Sequence, residues 1–505
     1  LTGCKHTPTL RAEFFQEAPS WMLWFDYFSV PQPDARGVPP GDRARLQQGL
    51  AMAVSSLPCY VQACAVFMVL APIVQHEAGQ LLDYNTWKAR GWCRLERLSR
   101  QLSPRSTMTL LVKRDDMVME VGAQDYLLAP TGMGDFTVEE DKARLAPVVQ
   151  GLIARKLKVL FEAGALEEYR QMLAWFPMLA KGLDIQWVDV VPQGLDAEFM
   201  ASTTHGDDVG ERFMHMLCLQ DTRHQLSEAL LISASLGVVG IMECLLQHRA
   251  HVAFARKRTS PKVMYMAGQQ PIHAAAQCGH ADAVGLLLRY RAGVDVLDRT
   301  RTTPLFFAAS AGCCRTAQCL LESRSNIDHV SDLHSTALAP AIVFGRAAVL
   351  RHLIRARAHL DISPLGITCL HYAALYGPGV EVVHILVKAR ANLDHRCGPR
   401  FGSIEWLALS ALQLPWRFGS RGFAASAVYH VGGSTPLMWA VMNGNVREAS
   451  ALLAAGADPN VRNSRGFDSR ELAGAFDSPV FEPKWDRARL SGVAHSLLLS
   501  EPAIN

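Results

Sequence analysis

Thr303-Pro304-Leu305-Phe306-Phe307-Ala308-Ala309 is the stretch that decides the fold, because the chain repeats its pattern. Pro271-Ile272-His273-Ala274-Ala275-Ala276 comes before it. Ala337-Leu338-Ala339-Pro340-Ala341, Cys369-Leu370-His371-Tyr372-Ala373-Ala374 and Pro436-Leu437-Met438-Trp439-Ala440 come after. The motifs begin at 271, 304, 337, 369 and 436, at intervals of 33, 33, 32 and 67, the last being two periods plus one residue. Proline suits the first turn of a helix, where the N–H it lacks would have no intrahelical acceptor. Phe306 to Ala311 then reads as a helix of small residues broken by Gly312. Thr316 to Ser323 reads as a second helix with Ala317, Leu320 and Leu321 on one face. Asn326-Ile327-Asp328 opens an extended hairpin arm. Such a helix pair cannot bury its own apolar face, so its neighbours must stack on it.

A period of about 33 with a T-P-L-H-x-A core resembles the ankyrin repeat. The match is fullest at 434–466, where Gly433-Ser434-Thr435-Pro436-Leu437 leads to Leu452-Leu453-Ala454-Ala455-Gly456-Ala457-Asp458-Pro459-Asn460. Units are read at about 226–255 and from near 269, 302, 335, 367 and 434. The last opens with Gly466-Phe467-Asp468-Ser469 and runs down into a cap, so the solenoid spans 226–498. Residues 256–267 lengthen the first hairpin by nine and carry Arg256, Lys257, Arg258 and Lys262. Residues 398–433 take the place of one repeat length. They include Ile404 to Leu409 and Leu412 to Phe418, with Ser403 able to cap a short helix. The 67-residue interval favours a degenerate repeat inside the stack over an exposed apolar insert.

The first hundred residues have another rhythm. Trp21 to Val30 and Ala65 to Val74 are short apolar runs, the kind that become strands buried on both faces of a parallel sheet. Leu46 to Leu57 has helical spacing between them. Trp87 to Leu102 places Trp92, Leu95, Leu98 and Leu102 along one helical face. Met108 to Val112 and Met117 to Val121 read as further strands. Thr137 and Glu140 have capping-box spacing before one or two helices over 141–183. Strand alternating with helix is an α/β pattern. Trp24-Phe25-Asp26, the Ala65 to Leu70 strand and Trp92-Cys93-Arg94-Leu95-Glu96 resemble the Toll/interleukin-1 receptor (TIR) domain over about 20–130. The family's first strand would lie upstream of residue 11 and is not visible, and Ala71 stands where the family ends its second strand with serine. The resemblance implies self-association through this domain or, in the NAD-cleaving members, a catalytic glutamate, which here is Glu96. A carboxylate there would stabilise a positively charged ribosyl transition state. Read without the resemblance, Glu96 is a solvent-facing helix residue paired with Arg100 four positions on.

The fold expected is therefore multidomain, with an N-terminal α/β part ahead of an all-α solenoid. Residues 1–135 form the TIR-like domain with a parallel sheet, truncated at its N-terminus. Residues 136–225 are a helical connector and linker, and 226–498 the ankyrin solenoid with inserts at 256–267 and 398–433. The 505 residues hold 49% hydrophobic and 19% charged residues, an ordinary globular balance. The formal charge of +3 divides into −5 over 1–225 (22 Lys+Arg, 27 Asp+Glu) and +8 over 226–505 (28 and 20). Twelve cysteines show no CxxC or zinc spacing, which fits reduced thiols in the cytoplasm or nucleus. The longest apolar run, Cys59 to Val74, is 16 residues and is interrupted by Gln62 and Pro72, too short for a membrane span of about 20 residues.

No P-loop, HExxH, GxSxG or kinase motif is present. Gly132-x-Gly134 lacks the third glycine of a dinucleotide loop. His273 and His371 occupy the ankyrin histidine position and are read as hairpin braces. No metal, cofactor or nucleic acid is expected, and NAD enters only as a substrate under the enzymatic alternative. The main expectation is an interaction or scaffold protein that binds a protein partner at its hairpin tips. Those tips carry Asp298, Arg299 and Arg301; His329, Ser331 and Asp332; and Arg462, Asn463 and Arg465. The alternative is a TIR-type NAD hydrolase regulated or targeted by its repeats.

Overall fold

The structure, a computed structural model, describes residue 52 and residues 56–191 and 213–481. Excepted are 65, 73, 76–80, 104–108, 115–116, 121–128, 137–139, 218, 220–221, 256–267, 333, 362–365, 399–428 and 477. The chain divides into two compact units, one of 1–74 and 82–201 and one of 75–81 and 202–505.

In the first unit β1 (Phe67–Leu70), β2 (Thr109–Arg114) and β3 (Met117–Glu120) form a sheet in that order. β1 pairs parallel to β2 from Phe67↔Thr109 to Leu70↔Val112, and β3 runs antiparallel to β2. A parallel pair needs a crossover. Two helices lie within it, α1 (Tyr84–Ala89) and α2 (Gly91–Gln101). The α/β pattern therefore holds, with a mixed sheet. β1 is not buried on both faces: Val69 is 3% exposed but Leu70 is 61% exposed. Val69, Ala71, Tyr84 and Leu111 pack together on the covered side, with Phe67 and Trp87 against them. The run Trp21–Val30 and most of 46–57 lie outside the described residues.

The helix expected over 87–102 is instead two, because another segment intrudes. Arg90 is extended (ψ 133°) between α1 and α2. There Asp135 N donates to Ala89 O (2.7 Å) and Gly91 N donates to Asp135 O (2.9 Å). The Phe136 ring lies where a Cβ on residue 91 would stand, 1.9 Å away, so the break requires Gly91. Residues 141–183 hold two helices, α3 (Asp141–Glu162) and α4 (Leu166–Leu179). α3 starts at Asp141 with no side-chain cap from Glu140. Thr137 of the expected capping box lies outside the described residues.

Every described element of 223–481 is helical. Helix pairs run α5 (Arg223–Leu236) and α6 (Val239–Gln247), α7 (Pro271–Cys278) and α8 (Ala281–Arg289), then α9 (Pro304–Ala311) and α10 (Cys314–Glu322). They continue as α11 (Leu338–Val343) and α12 (Ala347–Arg355), α13 (Cys369–Tyr376) and α14 (Val380–Lys388), then α15 (Pro436–Met442) and α16 (Val446–Ala454). α17 (Ser469–Ala475) caps the stack. Proline opens α7, α9 and α15. Ala275, Ala276, Ala308, Ala309, Ala373 and Ala374 are all 0% exposed, since small side chains let successive first helices approach closely. The turn after α7 needs glycine twice over: Gly279 has φ +85°, and a Cβ there would meet Cys313 Sγ of the next repeat at 2.2 Å.

The units on either side of the 67-residue interval pack directly on each other. α13 packs on α15 and α14 on α16. Cys397 N donates to Ser434 O (3.0 Å) and Gly433 N to Cys397 O (2.7 Å). Asp458 N donates to Asp394 Oδ1 (2.9 Å), the bond that Asn326 N makes to Asp295 and His359 N to Asp328 between ordinary neighbours. The units at 367–397 and 432–466 are thus adjacent, which corrects the degenerate-repeat expectation. An insertion close to one period long imitates a repeat in spacing alone. Its C-terminal end is also earlier than 433. His430 is buried against Phe467 (ring centroids 4.7 Å) and Phe476 (6.0 Å), so 429–433 belong to the stack. Residues 399–428 lie outside the described residues.

The register of the second helices is now explicit. Leu320 is 0% and Leu452 1% exposed, whereas Leu321 and Leu453 sit half-buried at the next position. Leu320→Ala and Leu452→Ala are expected to cost about 2–5 kcal/mol each, as buried leucine truncations do, and Leu453→Ala clearly less. Urea denaturation of the three variants checks this, and equal losses at 452 and 453 would refute the register.

Candidate partner-binding surface

The hairpin edge is built by side chains that bond back to the chain. Asp298 is 5% exposed. Its Oδ1 accepts from Thr300 N (2.9 Å), Thr300 Oγ1 (2.8 Å) and Thr302 N (2.8 Å). Asn463 repeats the device: its Oδ1 accepts from Arg465 N (2.9 Å) and Phe467 N (3.1 Å), and its Nδ2 donates to His430 O (3.1 Å). Ser331 Oγ donates to Ser335 O (3.1 Å). These three residues, expected at the solvent-facing tips, are all buried. Short polar side chains at a tight turn satisfy local backbone groups before they can reach a partner.

Other tip residues join one hairpin to the next. Arg301 Nε lies 3.8 Å from Asp332 Oδ1, with both side chains more than half exposed. His329 Nε2 is 2.8 Å from Arg301 O, and Asp332 N donates to Thr300 O (3.0 Å). Arg462 pairs with Glu471 Oε2 (3.2 Å) and Asp468 Oδ2 (3.6 Å) and donates to Gly466 O. Arg465 lies over the Tyr429 ring at 4.4 Å. Arg299 is exposed with no side-chain partner among the described residues. The structure thus brings Arg301, His329 and Asp332 together, leaves Arg299 exposed on the same turn, and places Arg462 and Arg465 apart, at the last hairpin.

His273 and His371 are braces. Both are 0% exposed. His273 Nδ1 accepts from Gln270 N (3.1 Å), while Nε2 lies 3.0 Å from Val296 O and 3.2 Å from Thr302 O. His371 Nδ1 accepts from Thr368 N (3.1 Å), and Nε2 reaches Ser434 O (3.1 Å) across the insertion. Burial pushes both imidazoles down to about 4, so each is neutral at pH 7. The Cys397 thiol, also buried, is pushed up to about 12, which leaves it protonated and unreactive.

Glu96 does not face solvent: it is 6% exposed. Arg100 is turned elsewhere, its Nη1 donating to Cys64 O (2.7 Å) and Val61 O (3.3 Å). The helix packs this side of α2 inward, so the expected exposed pair is replaced by a buried polar face. Among the described residues, no three His, Cys, Asp or Glu side chains cluster as a metal ion requires, and no helix is long and apolar enough to cross a membrane.

A row of five arginines repeats with the helix pairs. Arg249, Arg291, Arg324, Arg357 and Arg390 each follow a second helix, the last four 33 residues apart. Each is left-handed, with φ between 62° and 66°. The place usually falls to glycine, and a side chain there costs on the order of 1 kcal/mol.

The family model for ankyrin repeats in three copies matches residues 230–331 and 305–397, and that for a single ankyrin repeat matches 432–464. The C-terminal half of this chain contains ankyrin repeats, and the matches stop and resume on either side of the insertion. Among solved structures, the crystal structure of the human ASB11 ankyrin repeat domain matches at 23% identity. The match covers 55% of this chain and 99% of that one, with a TM-score of 0.36. No curated protein matches.

The braces make stability depend on pH. Their folded pKa of about 4 lies below the unfolded value of about 6.5, so their contribution is complete above pH ~6.5. It is lost as pH falls toward 4, by roughly 3 kcal/mol per histidine over the whole window. The urea midpoint is expected to fall markedly from pH 7.5 to pH 5, with a shallower slope in His371→Gln. A midpoint flat across that window would contradict the assignment.

Proposed function

We propose that this chain is a protein-interaction or scaffold protein whose ankyrin repeats hold a protein partner along the hairpin edge. The observation that carries this reading is the bonding of one hairpin to the next at three junctions, Asp295 to Asn326, Asp328 to His359 and Asp394 to Asp458, which joins short turns into an extended, preformed surface. Preformed surfaces lose little conformational entropy on binding. Arg299 and Arg301, with His329 and Asp332 beside them, are the charged groups this edge offers near its middle. Burial of Asp298, Ser331 and Asn463 assigns them to shaping the turns. The N-terminal α/β unit is read as a partner or self-association module, in keeping with its motif resemblance. Burial of Glu96 favours that over NAD cleavage, since a catalytic carboxylate must touch the ribose.

Two measurements test these readings. Affinity capture with the full chain is expected to lose its specific partner in the R299E/R301E variant, with the fold intact by circular dichroism. The Arg301–Asp332 pair is exposed and contributes about 1 kcal/mol at most. The loss should diminish in high salt as exposed charges are screened. An unchanged set of captured proteins would move the site off this edge. Separately, the purified chain is expected to leave NAD intact over hours. NAD loss that Glu96→Gln abolishes would establish the enzyme instead.

A further inference from the structure

The five left-handed arginines form a ladder distinct from the hairpin tips. Arg291 N donates to Leu288 O (2.9 Å) and Ala292 N to Leu287 O (2.9 Å), the helix-ending pattern that calls for a left-handed residue. Arg324, Arg357 and Arg390 end their helices in the same way. The last repeat meets the requirement with Gly456, φ +99°. In five other repeats the strained position carries a side chain, and each time it is arginine. Exposed neighbours show no such uniformity: two residues earlier stand Gln247, Arg289, Glu322, Arg355 and Lys388. A cation at a helix C-terminus is favourable, but lysine one turn earlier would supply it without strain. All five arginines are exposed and none is in an ion pair among the described residues.

The second helices α6, α8, α10, α12 and α14 contact one another in order, so the arginines recur about every 10 Å along the stack. A chain in the polyproline II conformation advances about 3.1 Å per residue with three residues per turn, so every third side chain stands on one face and meets a rung. A carboxylate takes the guanidinium fork in two parallel hydrogen bonds. Beside the ladder runs a row of carboxylates, Asp295, Asp328 and Asp394, each committed to a backbone N–H of the next repeat. That row repels a strand with a phosphate at every step of about 3.4 Å, but tolerates a chain whose intervening residues are neutral. We infer that the ladder binds an extended acidic segment of a partner protein in which a carboxylate recurs at every third residue. The inference rests on the reading of the repeats as a protein-binding surface and names its partner's chemistry.

The test uses the full chain and a fluorescent peptide of five Glu-Ser-Gly triplets. Its controls are a peptide of the same composition with its glutamates contiguous and an oligothymidylate of equal charge. The variant R291G/R324G/R357G/R390G places glycine where the backbone favours it, so its unfolding midpoint should equal or exceed that of the wild type. The triplet peptide is expected to bind wild type best and to lose roughly tenfold or more in affinity in the variant. Should the variant not fold, R324Q/R357Q is expected to show a smaller loss of the same kind. Equal binding of the contiguous peptide, tighter binding of the oligonucleotide, or affinity unchanged in the variants would each overturn the inference. R299E/R301E should leave peptide affinity unaltered. If the peptide fails while partner capture still depends on those two arginines, the ladder inference falls and the hairpin-edge function stands.

Discussion

A carboxylate at the root of one hairpin accepts a backbone N–H at the root of the next, and the solenoid depends on that bond. Asp295 holds Asn326, Asp328 holds His359, and Asp394 holds Asp458, each at 2.9 Å. The third bond spans 64 residues of sequence yet has the geometry of the others. These rungs fix the spacing between repeats at the edge, while alanines let the first helices approach within the stack. His273 and His371 brace the same joint from inside, bonding the start of one first helix to the hairpin that follows. A buried imidazole with both nitrogens engaged must stay neutral, which is why burial outweighs the favourable Asp298 charge near His273.

Backbone strain in this chain is distributed unevenly. The turn between the two helices of a repeat is left-handed at Gly237, Gly279, Gly312, Gly345 and Gly377, and at Gly237, Gly279, Gly312 and Gly345 a Cβ would meet the next repeat at 2.4, 2.2, 2.7 and 3.0 Å. The turn after the second helix has room for a side chain, and there arginine takes the left-handed position in five repeats. Hairpin positions 301 and 334 follow suit with Arg301 and His334, where the last two hairpins have Gly433 and Gly466. Contact decides between the cases: where a Cβ would strike the neighbouring repeat glycine is compulsory, and elsewhere the cost in conformation is small enough for a side chain to be accommodated.

The hairpin edge divides its labour among residues only a few positions apart. Asp298, Ser331 and Asn463 shape turns, Arg301 and Asp332 tie turns together, and Arg299 points outward. The N-terminal unit shows the same economy in α2, where Arg94 Nε donates to Lys88 O (2.9 Å) and its Nη1 to Pro130 O (3.1 Å). Charged residues that look like surface in a helical pattern there hold loops in place.

The sequence by itself determined the repeats, their period, the proline and glycine punctuation and the bracing histidines. Each of these follows from local rules that recur at a fixed spacing, and recurrence makes a weak signal legible. It also carried the arginine row and the strands at 109–114 and 117–120. Tertiary structure alone decided that the units on either side of 399–428 are neighbours, since a chain's length between two motifs does not say whether it fills the stack or leaves it. It alone decided which tip residues are buried, that Leu452 rather than Leu453 faces the core, that Glu96 lies inward, and that Asp135 and Phe136 break the helix at Gly91. These are outcomes of contacts between residues distant in sequence, and side-chain type and periodicity constrain such contacts only after the partners are known.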